Sequence, residues 1–197
     1  MLMRRMQGQR GGTLLEVLVA LLITSFGLLA LAGLQTRMNS AVMESYQRAQ
    51  ALTLMEDMAN RLQLNADNAA SYSAGGTDTP LGTDETAACI AVAGAATPTR
   101  AQRDLCDWSR QLQGASETSG GSAVGAMIGA RGCVEQITAA DANPGVCQPG
   151  IYRVTVSWQG LTSTVAPTNA CGKDQYGDDT LRKSMSTQVY VPLPSCS

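Results

Sequence analysis

Arg10-Gly11-Gly12-Thr13-Leu14-Leu15-Glu16-Val17-Leu18-Val19-Ala20-Leu21 opens the stretch whose reading decides the fold. From Leu14 to Leu34 the apolar run continues for 21 residues, and Glu16 is its sole formal charge. Wound as a helix, that run is roughly 31 Å long, about the hydrocarbon thickness of a bilayer. A carboxylate at the edge of a membrane span is costly, so Glu16 is expected to have a function and a partner. Upstream, Met1 to Gly11 carries Arg4, Arg5 and Arg10 and no acid, the basic flank that stays on the cytoplasmic side. A secretory signal would have a shorter apolar run followed by small residues at its cut. Here the run is longer, and the small pair Gly11-Gly12 precedes it.

Working outward, no proline interrupts Gly12 to Leu64, which predicts one continuous helix of roughly 80 Å. Met38, Val42, Ser45, Ala49, Leu52, Met55, Ala59 and Leu62 recur at three- and four-residue steps. This stripe is expected to pack on a sheet in its outer half, while the inner half faces lipid or sister helices. Arg37, Glu44, Arg48, Glu56, Asp57 and Arg61 read as a solvated face.

Beyond the helix the sequence turns polar and small from Asn65 to about Thr86, a loop. Thr97-Pro98 predicts the N-cap and first turn of a short helix ending at Gly114, with Ala101, Leu105, Trp108 and Leu112 on one face. Val124 to Ile137 is strand-like, and Asn143-Pro144-Gly145 is a turn. Ile151 to Trp158 alternates strictly: Tyr152, Val154, Val156 and Trp158 share one face, and Arg153, Thr155 and Ser157 the other, expected to be wet. Ser184 to Pro192 supplies a further strand, with Met185, Thr187, Val189 and Val191 on one face. The fold class expected is α+β, a long helix layered on an antiparallel sheet.

Composition narrows the function. The chain of 197 residues has a net charge of −2, with no cationic bias toward nucleic acid. Histidine is absent, which removes Ser-His and Cys-His catalytic arrangements and histidine metal sites. Neither a phosphate-cradling loop nor a hydrolase elbow occurs, so no enzyme, cofactor or metal is expected. Cys89, Cys106, Cys133, Cys147, Cys171 and Cys196 all follow the helix without C-x-x-C spacing, and read as disulfides in an oxidising compartment. Consecutive pairing is the expectation: Cys89 with Cys106, Cys133 with Cys147 across the turn, and Cys171 with Cys196 tying down the tail.

Gly11 followed by Gly12-Thr13-Leu14-Leu15-Glu16 resembles the class III signal of type IV pilins and type II secretion pseudopilins. The resemblance implies cleavage between Gly11 and Gly12 by a prepilin peptidase, N-methylation of Gly12, and pairing of Glu16 with the terminal amine of a neighbouring subunit. A buried opposite-charge pair holds only when both members are present and well placed, which suits an assembly contact. At Gly12 the family usually has Phe.

Thr13 to Leu21, Gly132-Cys133-Val134, Tyr152 to Gly160 and Cys171-Gly172 resemble minor pilins of the PilV type. That resemblance implies a pilin-like fold with a leader over residues 1–11, a membrane or filament-core half over 12–35, a periplasmic half over 36–64 and a disulfide-bonded head over 65–197. It implies a structural subunit of a type IV pilus, serving twitching motility, adhesion or DNA uptake. Its partners would be minor and major pilins, the prepilin peptidase and the inner-membrane assembly platform, with DNA at most indirect. It would sit in the bacterial inner membrane with its head in the periplasm, and then in the surface pilus. The N-terminal motif is shared with the I-type minor pseudopilins of type II secretion, which stand as the alternative.

Overall fold

The computed structural model describes residues 13–73, 76–77, 79–83, 87–94, 97–114, 118–119, 122–123 and 127–193. Residues up to Met43 form one compact unit, and those from Glu44 onward a second. Helix α1 runs Thr13–Leu64, proline-free as the sequence requires. In the first unit every described residue of α1 except Ser40 is exposed.

The second unit is built on a four-stranded antiparallel sheet in the order β1 (Leu81–Gly82), β4 (Ile128–Thr138), β5 (Gly150–Gln159), β6 (Arg182–Val191). A separate two-stranded hairpin joins β2 (Thr118–Ser119) to β3 (Ser122–Ala123). Helices α2 (Ala87–Gly94) and α3 (Arg100–Leu112) lie between β1 and that hairpin in sequence. Val124 to Ala126, the start of the strand expected there, lies outside the described residues; the strand is seen from Ile128.

Register fixes two faces. Gly132 pairs with Val156, Val134 with Val154, and Tyr152 with Val189, so these residues line one face. That face, with Trp158 and Val191, joins Leu54, Met55, Met58 and Leu62 of α1 and Trp108 and Leu112 of α3 in a single core. Trp108 is fully buried, and its indole Nε1 donates to the Leu54 carbonyl at 2.9 Å, satisfying the one polar atom of the ring. Gly132 lies directly beneath it; a Cβ there would come within 2.3 Å of the ring.

Four expectations need correction. The face of α1 turned to the sheet keeps Met55 and Leu62 of the expected stripe, with Ala59 packed partly buried beside them, but runs on through Leu54, Ala51 and Gln47 in place of Leu52, Ala49 and Ser45. Met38 and Val42, where that stripe begins, are exposed. The α3 N-cap is Thr99, not Thr97: its side chain accepts from the Gln102 amide while Gln102 reaches back, a complete capping box. Thr155 and Ser157 are buried, 3% and 0% exposed, because the segment between β5 and β6 crosses this second face. Cys133, which pairs with Thr155 and so shares that face, is bonded to Cys171 and not to Cys147, and Cys171 is therefore not bonded to Cys196.

The physical reason is distance along the strand. Cys133 sits five residues inside β4, whereas Cys147 lies past the turn at its end. Five extended residues span about 16 Å, far beyond the 7 Å Cα separation a disulfide tolerates. Cys171 is carried over the middle of the sheet by the crossing segment, within 5.9 Å of Cys133 between Cα atoms. Cys89 and Cys106 are bonded, stapling α2 to α3. Cys147 is disulfide-bonded, and Cys196 lies outside the described residues.

Candidate functional site

The N-terminal half of α1 is built from side chains that lower its polarity to a minimum. Between Glu16 and Arg37 no residue is charged, and an 18-residue window reaches a mean hydropathy of 2.5 with none of it buried. The hydroxyls of Thr24, Ser25, Thr36 and Ser40 are turned inward, each donating to the carbonyl four residues back, at 2.7, 2.7, 3.0 and 3.3 Å. The surface left to the surroundings from Val17 to Leu34 is therefore mostly hydrocarbon, with Leu18, Phe26 and Leu29 each 60% exposed or more. Exposed apolar surface on this scale marks a membrane or protein contact. Glu16 stands in the first turn, where the helix dipole favours an acid. Gly11 and Gly12 lie outside the described residues. Among the described residues no group of His, Cys, Asp or Glu could hold a metal ion.

In the second unit, two polar clusters were not expected from the sequence. The first closes the end of α1. Arg61 pairs with Asp57 at 2.8 Å and with Asp104 of α3 at 3.1 Å, so two members of the face read as solvated are engaged. Burial disfavours the Arg61 charge, but the hydrogen bonds and charges of Asp57 and Asp104 outweigh it and raise its pKa. Tyr72 donates to Asp104 at 2.5 Å and accepts from Asn65 at 3.1 Å, and burial followed by the Asp104 carboxylate pushes the phenol up to about 12. Arg100 donates to the Leu64 carbonyl at 3.2 Å, satisfying one of the last helical acceptors.

The second cluster fastens the segment that crosses the sheet. Arg182 is 1% exposed and donates to Asp179, to the Pro167 and Cys171 carbonyls, and to both oxygens of Asn169. Asp179 is held below the usual carboxylate range mainly by its hydrogen bond from Arg182, and Asp178 by the Thr180 amide it accepts from. Tyr176, within the same segment, donates to the Gly129 carbonyl at 3.0 Å and lies 3.2 Å from Ser157 Oγ, with the Arg131 guanidinium 5.4 Å from its ring centre. Burial raises its pKa. Gly172, at φ +66, is needed here: a Cβ would come within 2.5 Å of Ser157 Oγ.

Sequence reasoning missed Arg182 because a lone arginine opening a strand carries no periodic signal; only the crossing segment reveals what it holds. Asp104 was equally hidden, since its partners are 43 and 32 residues away.

Residues 6–32 match the prokaryotic N-terminal methylation motif. Residues 33–106 match the Tt1218-like family, described as type IV pilin Tt1218. No curated protein and no solved structure matches the chain. The two family matches adjoin, and the second ends on Cys106, the far half of the disulfide that staples α2 to α3. Neither match covers half of the chain; beside the α+β pilin-like fold already described, they make residues 6–106 similar to type IV pilins.

Proposed function

We propose that the chain is a minor pilin of the PilV type, a subunit that enters a type IV pilus through its N-terminal helix and promotes assembly. The observation that carries this reading is the methylation motif over residues 6–32, running into a helical half that exposes hydrocarbon and a single acid. Cleavage between Gly11 and Gly12 by a prepilin peptidase would free an amine at Gly12, which is then methylated. Glu16 of one subunit would meet that amine on its neighbour inside a bundle of like helices, where low polarity makes the pairing selective. The protein would rest in the inner membrane with its disulfide-bonded head in the periplasm. Its partners there would be major and minor pilins and the assembly platform, and its role would be self-association without chemistry of its own.

Two measurements test this. Mass spectrometry of the mature protein should find a methylated N-terminal Gly12; a chain still beginning at Met1 would overturn the reading. Glu16→Ala should still enter the membrane yet drop out of purified filaments, whereas incorporation at the wild-type level would count against the pairing.

A further inference from the structure

Lys183 pairs across the ladder with Trp158, whose ring lies in the core with α1. Directly paired residues of antiparallel strands share a face, so the Lys183 side chain projects on the α1 side of the sheet. There its stem lies over Gly160, where a Cβ would come within 2.4 Å of Lys183 Cε. Its ammonium donates to Thr164 Oγ1 at 2.7 Å. Glycine and hydroxyl together hold the charge in one place, while an ammonium has three donors and this one bond uses a single one of them.

A cleft of about 380 Å³ opens at this point between α1, β6 and the segment that crosses the sheet. Arg48 of α1 and Lys183 line it with charge, Trp158 and Met185 line it with apolar surface, and Val165 and Pro167 wall it from the crossing segment. A cleft of that volume, walled from three elements, is of the size that takes a small molecule.

Its charge is one-sided. No acidic residue is among those lining it. Arg182 also borders the cleft, but its donors end on Asp179 and on carbonyls of the crossing segment, so that charge is already matched. Glu44, one turn before Arg48 on α1, is the acid best placed in sequence to neutralise it. It accepts from Thr162 at 2.6 Å instead. Arg48 itself has no hydrogen bond and no ion pair among the described residues.

Two unmatched cations beside apolar walls fit a dianion carried on a compact apolar body. A carboxylate brings one charge, whereas a phosphomonoester brings nearly two at neutral pH, with three strong acceptor oxygens. A guanidinium can meet two of those oxygens with parallel N–H bonds, and an ammonium the third. We propose that the cleft between Arg48 and Lys183 binds a small phosphomonoester, its phosphate held by the two cations and its organic part lying against Val165, Pro167 and Met185. The site is independent of how the N-terminal half assembles.

Calorimetric titration of the full chain in micelles of an uncharged detergent tests this, with phenyl phosphate and phenyl sulfate as probes at pH 8. The two have the same shape, and the sulfate has one charge fewer. One phenyl phosphate should bind per chain, at least tenfold more tightly than phenyl sulfate. Arg48→Gln, at an exposed position without partners, should leave the melting temperature unchanged yet weaken phenyl phosphate binding at least tenfold. Short-chain phosphatidic acid that displaces phenyl phosphate at a tenfold lower concentration would place the ester on a lipid, and displacement only at equal or higher concentration would place it on a soluble molecule; both results sustain the site. Absence of saturable binding, equal affinity for the two probes, or unchanged binding by Arg48→Gln would overturn it. Affinity that falls as protein concentration rises would put an acidic side chain of a second copy in the cleft, and would overturn it as well.

Discussion

The guanidinium of Arg182 grips the carboxylate of Asp179 through two hydrogen bonds, 2.6 and 2.9 Å long, from a position 1% exposed to solvent. Its other donors end on carbonyls of the segment crossing the sheet, so one buried cation organises that whole connection.

Replacing Arg182 with Met should cost about 3 kcal/mol, because several acceptors lose a charged donor at once. For a chain of this size the melting temperature should fall by roughly 6–12 °C. Arg182→Lys should recover only part of the loss, since an ammonium cannot reproduce the planar fork. Acid has a related effect. The folded Asp179 carboxyl is depressed, so the stability it contributes is present at neutral pH and lost as pH falls below the ordinary carboxylate range. Asp179→Asn should flatten that acid limb in thermal unfolding between neutral pH and pH 2.

Tyr72 should titrate late. Its folded pKa, about 12, lies above the free phenol's value near 10, so its contribution to stability is complete below pH 10 and disappears as pH rises from there toward 12. Ultraviolet titration at the phenolate band should show a late step that is absent in Tyr72→Phe. In Asp104→Asn the step should move to lower pH.

Gly132→Ala should be among the most damaging single changes in the second unit. The new methyl meets Trp108 at 2.3 Å with Leu112 at 2.7 Å behind it, both locked in the core. Overpacking of this kind costs about 1–3 kcal/mol and displaces the ring. Near-ultraviolet circular dichroism should lose the Trp108 contribution, and the denaturation midpoint should fall; an unchanged spectrum would contradict the packing.

Removing disulfides should have unequal effects. Cys133–Cys171 closes 38 residues and Cys89–Cys106 closes 17, so loop entropy assigns about 4 and about 3 kcal/mol respectively. The Cys133→Ser/Cys171→Ser pair should also loosen the crossing segment and expose Tyr176, bringing its titration down toward the free phenol. The Cys89→Ser/Cys106→Ser pair should leave Tyr176 unchanged.

Much of this was legible in the sequence because it rested on local periodicity. The strict alternation from Tyr152 to Trp158 placed its apolar set correctly, and the absence of proline to Leu64 gave α1. What failed was whatever depended on a distant segment. The second face of β5 looked wet because Thr155 and Ser157 are small and polar; the segment covering them, centred on Cys171, starts beyond the strand. The stripe on α1 was right at Met55 and Leu62 and drifted only toward its start, at Ser45, Ala49 and Leu52, because Ala and Leu occur all round that part of the helix. As for the N-terminal half, the run of apolar residues after Glu16 announced its exposed surface, whereas the inward turn of its hydroxyls became visible only in the structure.

The crossing segment is pinned at Cys171 and at Arg182, and neither fastening draws on the side chains of Thr162 to Val165 or of Lys173 to Gln175, all exposed. Thr162, Ser163 and Thr164 still hydrogen-bond to Glu44, Thr180 and Lys183, and Asp174 holds a left-handed φ of 60, so Val165, Lys173 and Gln175 are the positions that can change identity with little penalty to the scaffold beneath. The crossing segment thus separates its means of attachment from a few outward positions that a sequence could rewrite without having to relearn how to fold.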